Sequence, residues 1–301
     1  MVGDFICLSD FSAEELLHLL DFADEIKRRQ RGGIPHRILE GKTLAMIFEK
    51  PSLRTRVTFQ TGMFQLGGQS ILIETRLGKR ESVPDVARNL DRWVDGIMAR
   101  TFQHEHVLEL AQYARVPVIN ALTDKLHPCQ ILADVQTLRE HKGPGLSGIK
   151  VAFVGDGNNV FNSWATFAAR IPIQLTLVCP PGYEGDISIV AQAQRETQGS
   201  IEITNDVAAG LRGADAVYTD VWTSMGQEEE AAARTKAFAS YQVNGQLMAL
   251  AKPDAVFMHC LPAHRGEEVT DEVMDSPNSI VFDQAENRLH AQKAVLATLM
   301  R

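Results

Sequence analysis

Apolar residues recur along this chain in two rhythms. The first is helical. Leu16, Leu19, Leu20, Ala23 and Ile26 fall three or four positions apart behind Ser12-Ala-Glu-Glu15, a capping box, and the run stops at the polar stretch 28–33. Beyond it, short apolar runs alternate with helical patterns. Strands are expected at 44–48, 70–73, 96–99 and 117–119, and helices at 54–66, 85–94 and 106–114. A Gly- and Pro-rich stretch at 143–148 then reads as a linker. After it come expected strands at 150–154, 174–178, 201–204, 216–219, 256–258 and 280–282, with helices between them and a last helix over about 285–299. Residues 128–141 read as one helix joining the halves.

This alternation predicts βαβ units and an α/β fold: two Rossmann-like domains with parallel sheets, joined by interdomain helices. The expected division is 1–130 and 131–284, with the helix from about 285 to 301 packing back on the first domain. Ligands of such folds sit at the carboxyl ends of the strands. The length of 301 residues agrees with two domains at about 150 residues each.

Composition narrows the class. Hydrophobic residues make up 45% and charged residues 23%, ordinary for a globular protein, so fibrous and disordered readings drop out. The net charge of −8 argues against nucleic acid or an anionic membrane as partner. No apolar run approaches the ~18 residues of a membrane span. Cys7, Cys129, Cys179 and Cys260 form no CxxC pair, which argues against a zinc ribbon or disulfide framework. The N-terminus has no secretory pattern, and a cytoplasmic enzyme is the expectation.

Two nucleotide-like motifs fail on inspection. Gly41-Lys42-Thr43 ends like a P-loop, but the required earlier glycine is His36 and a strand follows instead of a helix. Gly155-Asp-Gly157 opens like a dinucleotide fingerprint, but Val160 stands at its third glycine and no acidic residue ends the next strand. Likewise His104-Glu-His106 lacks the spacing that places two metal ligands on one helical face and reads as a solvated helix start.

Better candidates lie at strand ends. In Pro51-Ser52-Leu53-Arg54-Thr55-Arg56 a strand ends and Ser52 caps the next helix, whose free N–H groups and dipole suit a phosphate. Two arginines in that first turn oppose the dipole, so a purely structural role is poorly motivated. Arg100 follows another strand. His127-Pro128-Cys129-Gln130 opens a helix with a ring and an amide able to stabilise a carbonyl oxygen turning anionic. Asn158, Asn159, Asn162 and Ser163 crowd one turn, Asp220-Val-Trp222-Thr-Ser224-Met225-Gly226 another, and His259-Cys260-Leu261-Pro262 a third. Each alone is ordinary turn chemistry. Together they suit an amino-acid-like ligand.

In this order these motifs resemble the transcarbamylase family, its ornithine carbamoyltransferases in particular, over essentially the whole chain as far as Glu286-Asn287-Arg288-Leu-His290. The resemblance implies transfer of a carbamoyl group from carbamoyl phosphate to the δ-amine of L-ornithine, within arginine biosynthesis, with neither cofactor nor metal. It implies phosphate binding by Ser52, the Leu53 backbone, Arg54, Thr55 and Arg100. His127, Pro128, Cys129, Gln130, Cys260, the Leu261 carbonyl and Arg288 would hold the carbamoyl group, and the Leu261–Pro262 bond would be cis. Asn159, Asp220, Ser224 and Met225 would bind ornithine. Arg100, His127, Asp220 and Cys260 would be catalytic, with Asp220 or Cys260 deprotonating the amine. The family's unit is a homotrimer, sometimes assembled further.

Two positions depart from the pattern. Leu53 replaces a frequent Thr, and Arg76 stands where many relatives place a Gln that reaches a neighbouring subunit. Aspartate carbamoyltransferase is the nearest rival, but the Asp220 loop offers an anion suited to an amine. The Ser-Met-Gly loop argues against N-acetylornithine, succinylornithine and putrescine as acceptors. A nicotinamide dehydrogenase lacks its glycine and acidic residue here, and an inactive scaffold would have no need of Arg54, Arg100, His127, Asp220, Cys260 and Arg288 together.

Overall fold

The computed structural model describes residues 3–223 and 228–301. The chain forms two compact α/β units, Met1–Gln136 with Glu286–Arg301, and Thr137–Ala285. The boundary is crossed inside two helices, α5 (Pro128–Lys142) and α12 (Val281–Leu299).

The first unit opens with α1 (Ala13–Arg31), whose capping box is formed as the sequence predicts: Ser12 Oγ accepts the Glu15 N–H, and Glu15 accepts the Ser12 N–H. Strand β1 (Thr43–Phe48), α2 (Leu53–Gln65), β2 (Gln69–Glu74), α3 (Val83–Leu90), β3 (Gly96–Arg100), α4 (His104–Tyr113) and β4 (Val118–Leu122) follow in alternation. The sheet is parallel in the order β2-β1-β3-β4. Its central strands β1 and β3 are buried nearly throughout, which is why their sequences read as continuous apolar runs. Ile47, Ala99, Leu90, Val107 and Val118 share one core.

The second unit holds β5 (Lys150–Val154), α6 (Asn159–Ala168), β6 (Gln174–Val178), α7 (Ile187–Glu196), β7 (Ser200–Thr204), α8 (Val207–Leu211), β8 (Ala216–Thr219), α9 (Ala231–Phe238), the single turn α10 (Gly245–Met248), β9 (Val256–His259) and the single turn α11 (Asp271–Met274). Its parallel sheet runs β7-β6-β5-β8-β9. Phe257, Val217, Trp222 and Phe238 anchor its core.

The expected strand at 280–282 is helix instead. Ile280 donates to the Phe257 carbonyl at 3.0 Å, a last strand-like bond. Its own carbonyl then takes the Gln284 N–H at 2.9 Å, which starts α12. The run Ile280-Val281-Phe282 has strand propensity, but Val281 is buried and Phe282 is 68% exposed, a helical division of faces.

The two rejected motifs have structural explanations. Gly41 sits at φ +79 in a turn, and Lys42 pairs with Asp95 at 3.1 Å. At Gly157 a Cβ would lie 2.3 Å from the Gly185 nitrogen, so glycine there permits two loops to touch. Among the described residues no helix is long and apolar enough to cross a membrane.

Candidate active site

The first unit collects one group of predicted residues at the carboxyl ends of its strands. Behind β1, Ser52 caps α2 by accepting the Thr55 N–H at 3.3 Å. Leu53 opens the helix with its side chain 75% exposed, so what it offers inward is backbone. Thr55 is buried, and its hydroxyl accepts from Arg288 Nη2 at 3.1 Å. The other arm of that guanidinium, Nη1, donates to Gln130 Oε1 at 2.6 Å, and Gln130 Nε2 donates to Asp134 at 2.7 Å. With the Gln292 amide oriented by its neighbours, its oxygen accepts from Arg288 Nε at 3.1 Å and its nitrogen donates to Thr58 at 2.6 Å. A residue near the C-terminus is thus built into the turn at the start of α2.

Arg100, buried at the end of β3, lies in register with Phe48 of β1. His127 precedes Pro128, the first residue of α5, and is buried. Burial holds its imidazole well below the usual histidine range, and the charges of Arg288, Arg100 and Arg54 push the same way. A neutral ring among three arginines can donate one hydrogen bond to a carbonyl, while the arginines set a positive field for an anion. Cys129 is buried, bonds the Asn120 carbonyl at 3.3 Å, and has its thiol pushed up to about 12, so its side chain is packing.

The second unit gathers the other group. Asp220 follows β8 directly. Asn158, the N-cap of α6, donates Nδ2 to Asp220 Oδ2 at 2.7 Å, and Cys260 Sγ donates to Asp220 Oδ1 at 3.0 Å. Three strand ends therefore converge on one carboxylate. Asn159 begins α6 beside this cap. Asn162 and Ser163 are spent on structure: Asn162 accepts the Asp186 N–H at 3.2 Å, and Ser163 donates to the Asn159 carbonyl at 2.8 Å. Ser224 and Met225 lie outside the described residues.

Cys260 and Leu261, expected in the carbamoyl pocket, belong to this second unit. The Leu261–Pro262 bond is cis, and Leu261 has φ +58. Its N–H donates to His259 Nδ1 at 2.8 Å, and His259 Nε2 faces Glu268 at 3.2 Å, both side chains fully buried. Asp220, His259 and Cys260 bring donor atoms within 4.8 Å of one another, as a metal site would. Both ring nitrogens of His259 are already engaged, however, by the Leu261 N–H and Glu268, while Cys260 donates to Asp220.

Sequence reading missed Glu268, which beside Glu267 looks like surface charge. It also missed Arg234, whose Nη1 donates to Asp156 at 2.8 Å and to the Trp222 carbonyl at 3.1 Å. Burial raises the Asp156 carboxyl, and Arg234 opposes that rise. The available signal was Asp156 itself, an acid between two glycines at a strand end.

Known proteins resemble this chain along its whole length. Residues 3–140 match the carbamoyl-P binding domain of aspartate/ornithine carbamoyltransferase, and 147–299 match its Asp/Orn binding domain. The chain is 53% identical over 303 aligned positions to an ornithine carbamoyltransferase of Thermococcus kodakarensis, covering 99% of this chain and 96% of that one. It is 52% identical to the anabolic enzyme of Pyrococcus furiosus, over 99% and 96% of the two chains. A solved ornithine carbamoyltransferase structure from P. furiosus superposes with a TM-score of 0.95 at 52% identity, covering 99% of this chain and 96% of the other. Two matched domain models, a shared fold and identity along the full length establish that the chain belongs to the aspartate/ornithine carbamoyltransferase family.

Proposed function

We propose that this protein transfers the carbamoyl group of carbamoyl phosphate to the δ-amine of L-ornithine, giving L-citrulline and phosphate, as a cytoplasmic enzyme of arginine biosynthesis. The observation that carries the reading is the convergence of Asn158 and Cys260 on Asp220, a carboxylate suited to a substrate ammonium. The arginine-rich turn with His127 supplies the complementary anion site.

In this reading Ser52, the Leu53 backbone, Arg54 and Thr55 hold the phosphate at the helix N-terminus. Arg100 reaches phosphate and carbonyl oxygen. His127 polarises the carbonyl, and Gln130, the Leu261 carbonyl and Arg288 complete the carbamoyl contacts. Pro128 and Cys129 contribute backbone. Asn159, Asp220, Ser224 and Met225 take ornithine. Its δ-ammonium has a pKa of about 10, like lysine, and must lose a proton before attack. Asp220 orients it, and Asp220 or Cys260 receives the proton. The neutral amine then forms the C–N bond, and the tetrahedral oxyanion is stabilised by Thr55, Arg100 and His127. Collapse breaks the C–O bond to phosphate, and the extra proton on the attacking nitrogen passes to the departing phosphate, which leaves as the hydrogen phosphate dianion held by the arginines.

A homotrimer is the proposed assembly. Val57 and Phe64, seven positions apart on α2, and Ile71 on the edge strand β2 expose 49%, 79% and 49% of their surface. Exposed apolar side chains on a helix and on an edge strand of the same unit favour burial against copies of the same chain. Sedimentation velocity of the protein and of Phe64→Asp tests this, the variant being expected to sediment as a smaller species.

The function is tested by citrulline formation from carbamoyl phosphate with L-ornithine, L-aspartate, N-acetylornithine and putrescine side by side. Turnover with ornithine alone is expected. Preference for another acceptor would overturn the assignment of the Asp220 group and leave the phosphate site standing.

A further inference from the structure

Glu49 has no role in the reaction as assigned above, yet it is one of the most heavily bonded side chains in the first unit. It follows β1 and precedes the N-cap Ser52 by three positions. Its carboxylate is 3% exposed. Oε1 accepts the Leu77 N–H at 2.8 Å, and Oε2 accepts the Phe102 N–H at 2.7 Å. His106 Nδ1 stands 3.3 Å from Oε1. The backbone N–H of Glu49 donates to the Arg100 carbonyl at 2.9 Å. One residue thus grips the chain at Arg100 and again two positions later, and ties in the loop that follows β2.

From these contacts we infer that Glu49 is a positioning residue for carbamoyl-phosphate binding. It fixes the segment carrying Arg100 and the loop carrying Arg76 to the turn that begins α2. This rests on the phosphate-site reading given above and goes beyond it. Neither gripped amide lies in a strand, since β2 ends at Glu74 and β3 at Arg100, so no sheet ladder holds these amides in place. The carboxylate replaces that ladder with two charge-assisted bonds. It also sets the Phe102 ring, which carries the Lys50 ammonium 4.5 Å and the Arg76 guanidinium 5.0 Å from its centroid. A buried negative charge beside an anion site opposes the anion by Coulomb's law. Its placement therefore favours the phosphate only through the geometry it imposes on the cations.

The decisive variant is Glu49→Gln in the full chain. The amide keeps the side chain's size and one acceptor oxygen, but turns an NH2 toward one of the two backbone donors. The expected result is a rise of tenfold or more in the carbamoyl phosphate KM and a matching weakening of product inhibition by inorganic phosphate, with the ornithine KM within twofold. A lowered melting temperature with both KM values unchanged would make Glu49 a stability residue only and overturn the inference. So would an equal rise in both KM values. If the variant does not fold, the wild type decides through hydrogen exchange read by mass spectrometry with inorganic phosphate as the probe. Slowed exchange in 52–56, 75–82 and 101–105 together is expected. Slowing in 52–56 alone would overturn the Glu49 link and leave the phosphate site intact. No slowing anywhere would remove the phosphate site, and the inference with it.

Discussion

His259 Nδ1 accepts the backbone N–H of Leu261 at 2.8 Å, and this bond holds a non-glycine residue in the left-handed region. Such a conformation costs about 1–3 kcal/mol and persists where surrounding contacts over-determine it. Here the second ring nitrogen meets the fully buried Glu268, so the imidazole is itself fixed in orientation.

Replacing His259 by Leu is expected to be severe in two ways. The Leu261 N–H loses its acceptor, and the buried Glu268 carboxylate keeps the His264 N–H but loses the ring, which should destabilise the fold by roughly 3 kcal/mol. Urea unfolding measures that loss. Citrulline formation below the unfolding midpoint should fall at least tenfold, because Cys260 and Leu261 lie on the released segment. Full activity in the variant would show that the segment holds its shape without the ring.

Arg54→Ala is expected to abolish carbamoyl phosphate binding and leave the fold intact. Arg54 is one of the three cations whose charge acts on His127. Loss of a phosphate fork typically removes 10²-fold or more of kcat/KM, about 2.7 kcal/mol. Steady-state kinetics with circular dichroism as the fold control decide it, and unchanged KM and kcat would refute the phosphate role.

Asp220→Asn should cut kcat or raise the ornithine KM sharply, with carbamoyl phosphate binding little changed. The variant keeps the size of the side chain but withdraws the charge on which Asn158 and Cys260 converge. Initial rates over both substrates separate the outcomes. Equal loss toward the two substrates would point to misfolding instead.

Stability should decline on mild acidification. His127 is held well below its ordinary value of 6.5, by burial first, and His290 is lowered to about 4, also by burial first. Below pH 6.5 the unfolded chain therefore takes up protons that the folded chain refuses. The contribution is fully present above 6.5 and is lost as the pH falls toward the folded values, at up to about 1.4 kcal/mol per pH unit for each ring. Urea midpoints between pH 7.5 and 5 measure the slope. His127→Gln should reduce it, and an unchanged slope would mean that the ring takes up its proton equally in the folded and unfolded chains.

The fold was largely legible because its signals are local. The capping box of α1, the apolar runs of β1 and β3 and the Ser52 cap each depend on a few adjacent residues. The strand expected at 280–282 failed because its propensity was overruled by the helix that Ile280 starts with Gln284. The site was legible in part for the same reason. Ser52, Thr55 and His127 sit at turns that announce themselves. The bonds that organise them do not: Arg288 meets Thr55 across 233 positions of sequence, and Cys260 meets Asp220 across 40. For those, motif resemblance supplied what spacing could not. Glu49, Arg234 and Glu268 escaped because a buried acid or base carries no mark in sequence that separates it from a solvated one.

The discontinuity of the first unit bears on the order in which the protein is made. Unit 2 is one continuous stretch, Thr137–Ala285, but unit 1 needs Glu286–Arg301. Domains generally fold as they leave the ribosome, earliest first. In this chain the N-terminal unit must wait. Until the final segment emerges, Thr55 and Gln130 lack the guanidinium that joins them. The half of the molecule synthesised first is therefore completed last, and a nascent chain stopped short of residue 286 would carry a whole second unit beside an unfinished first.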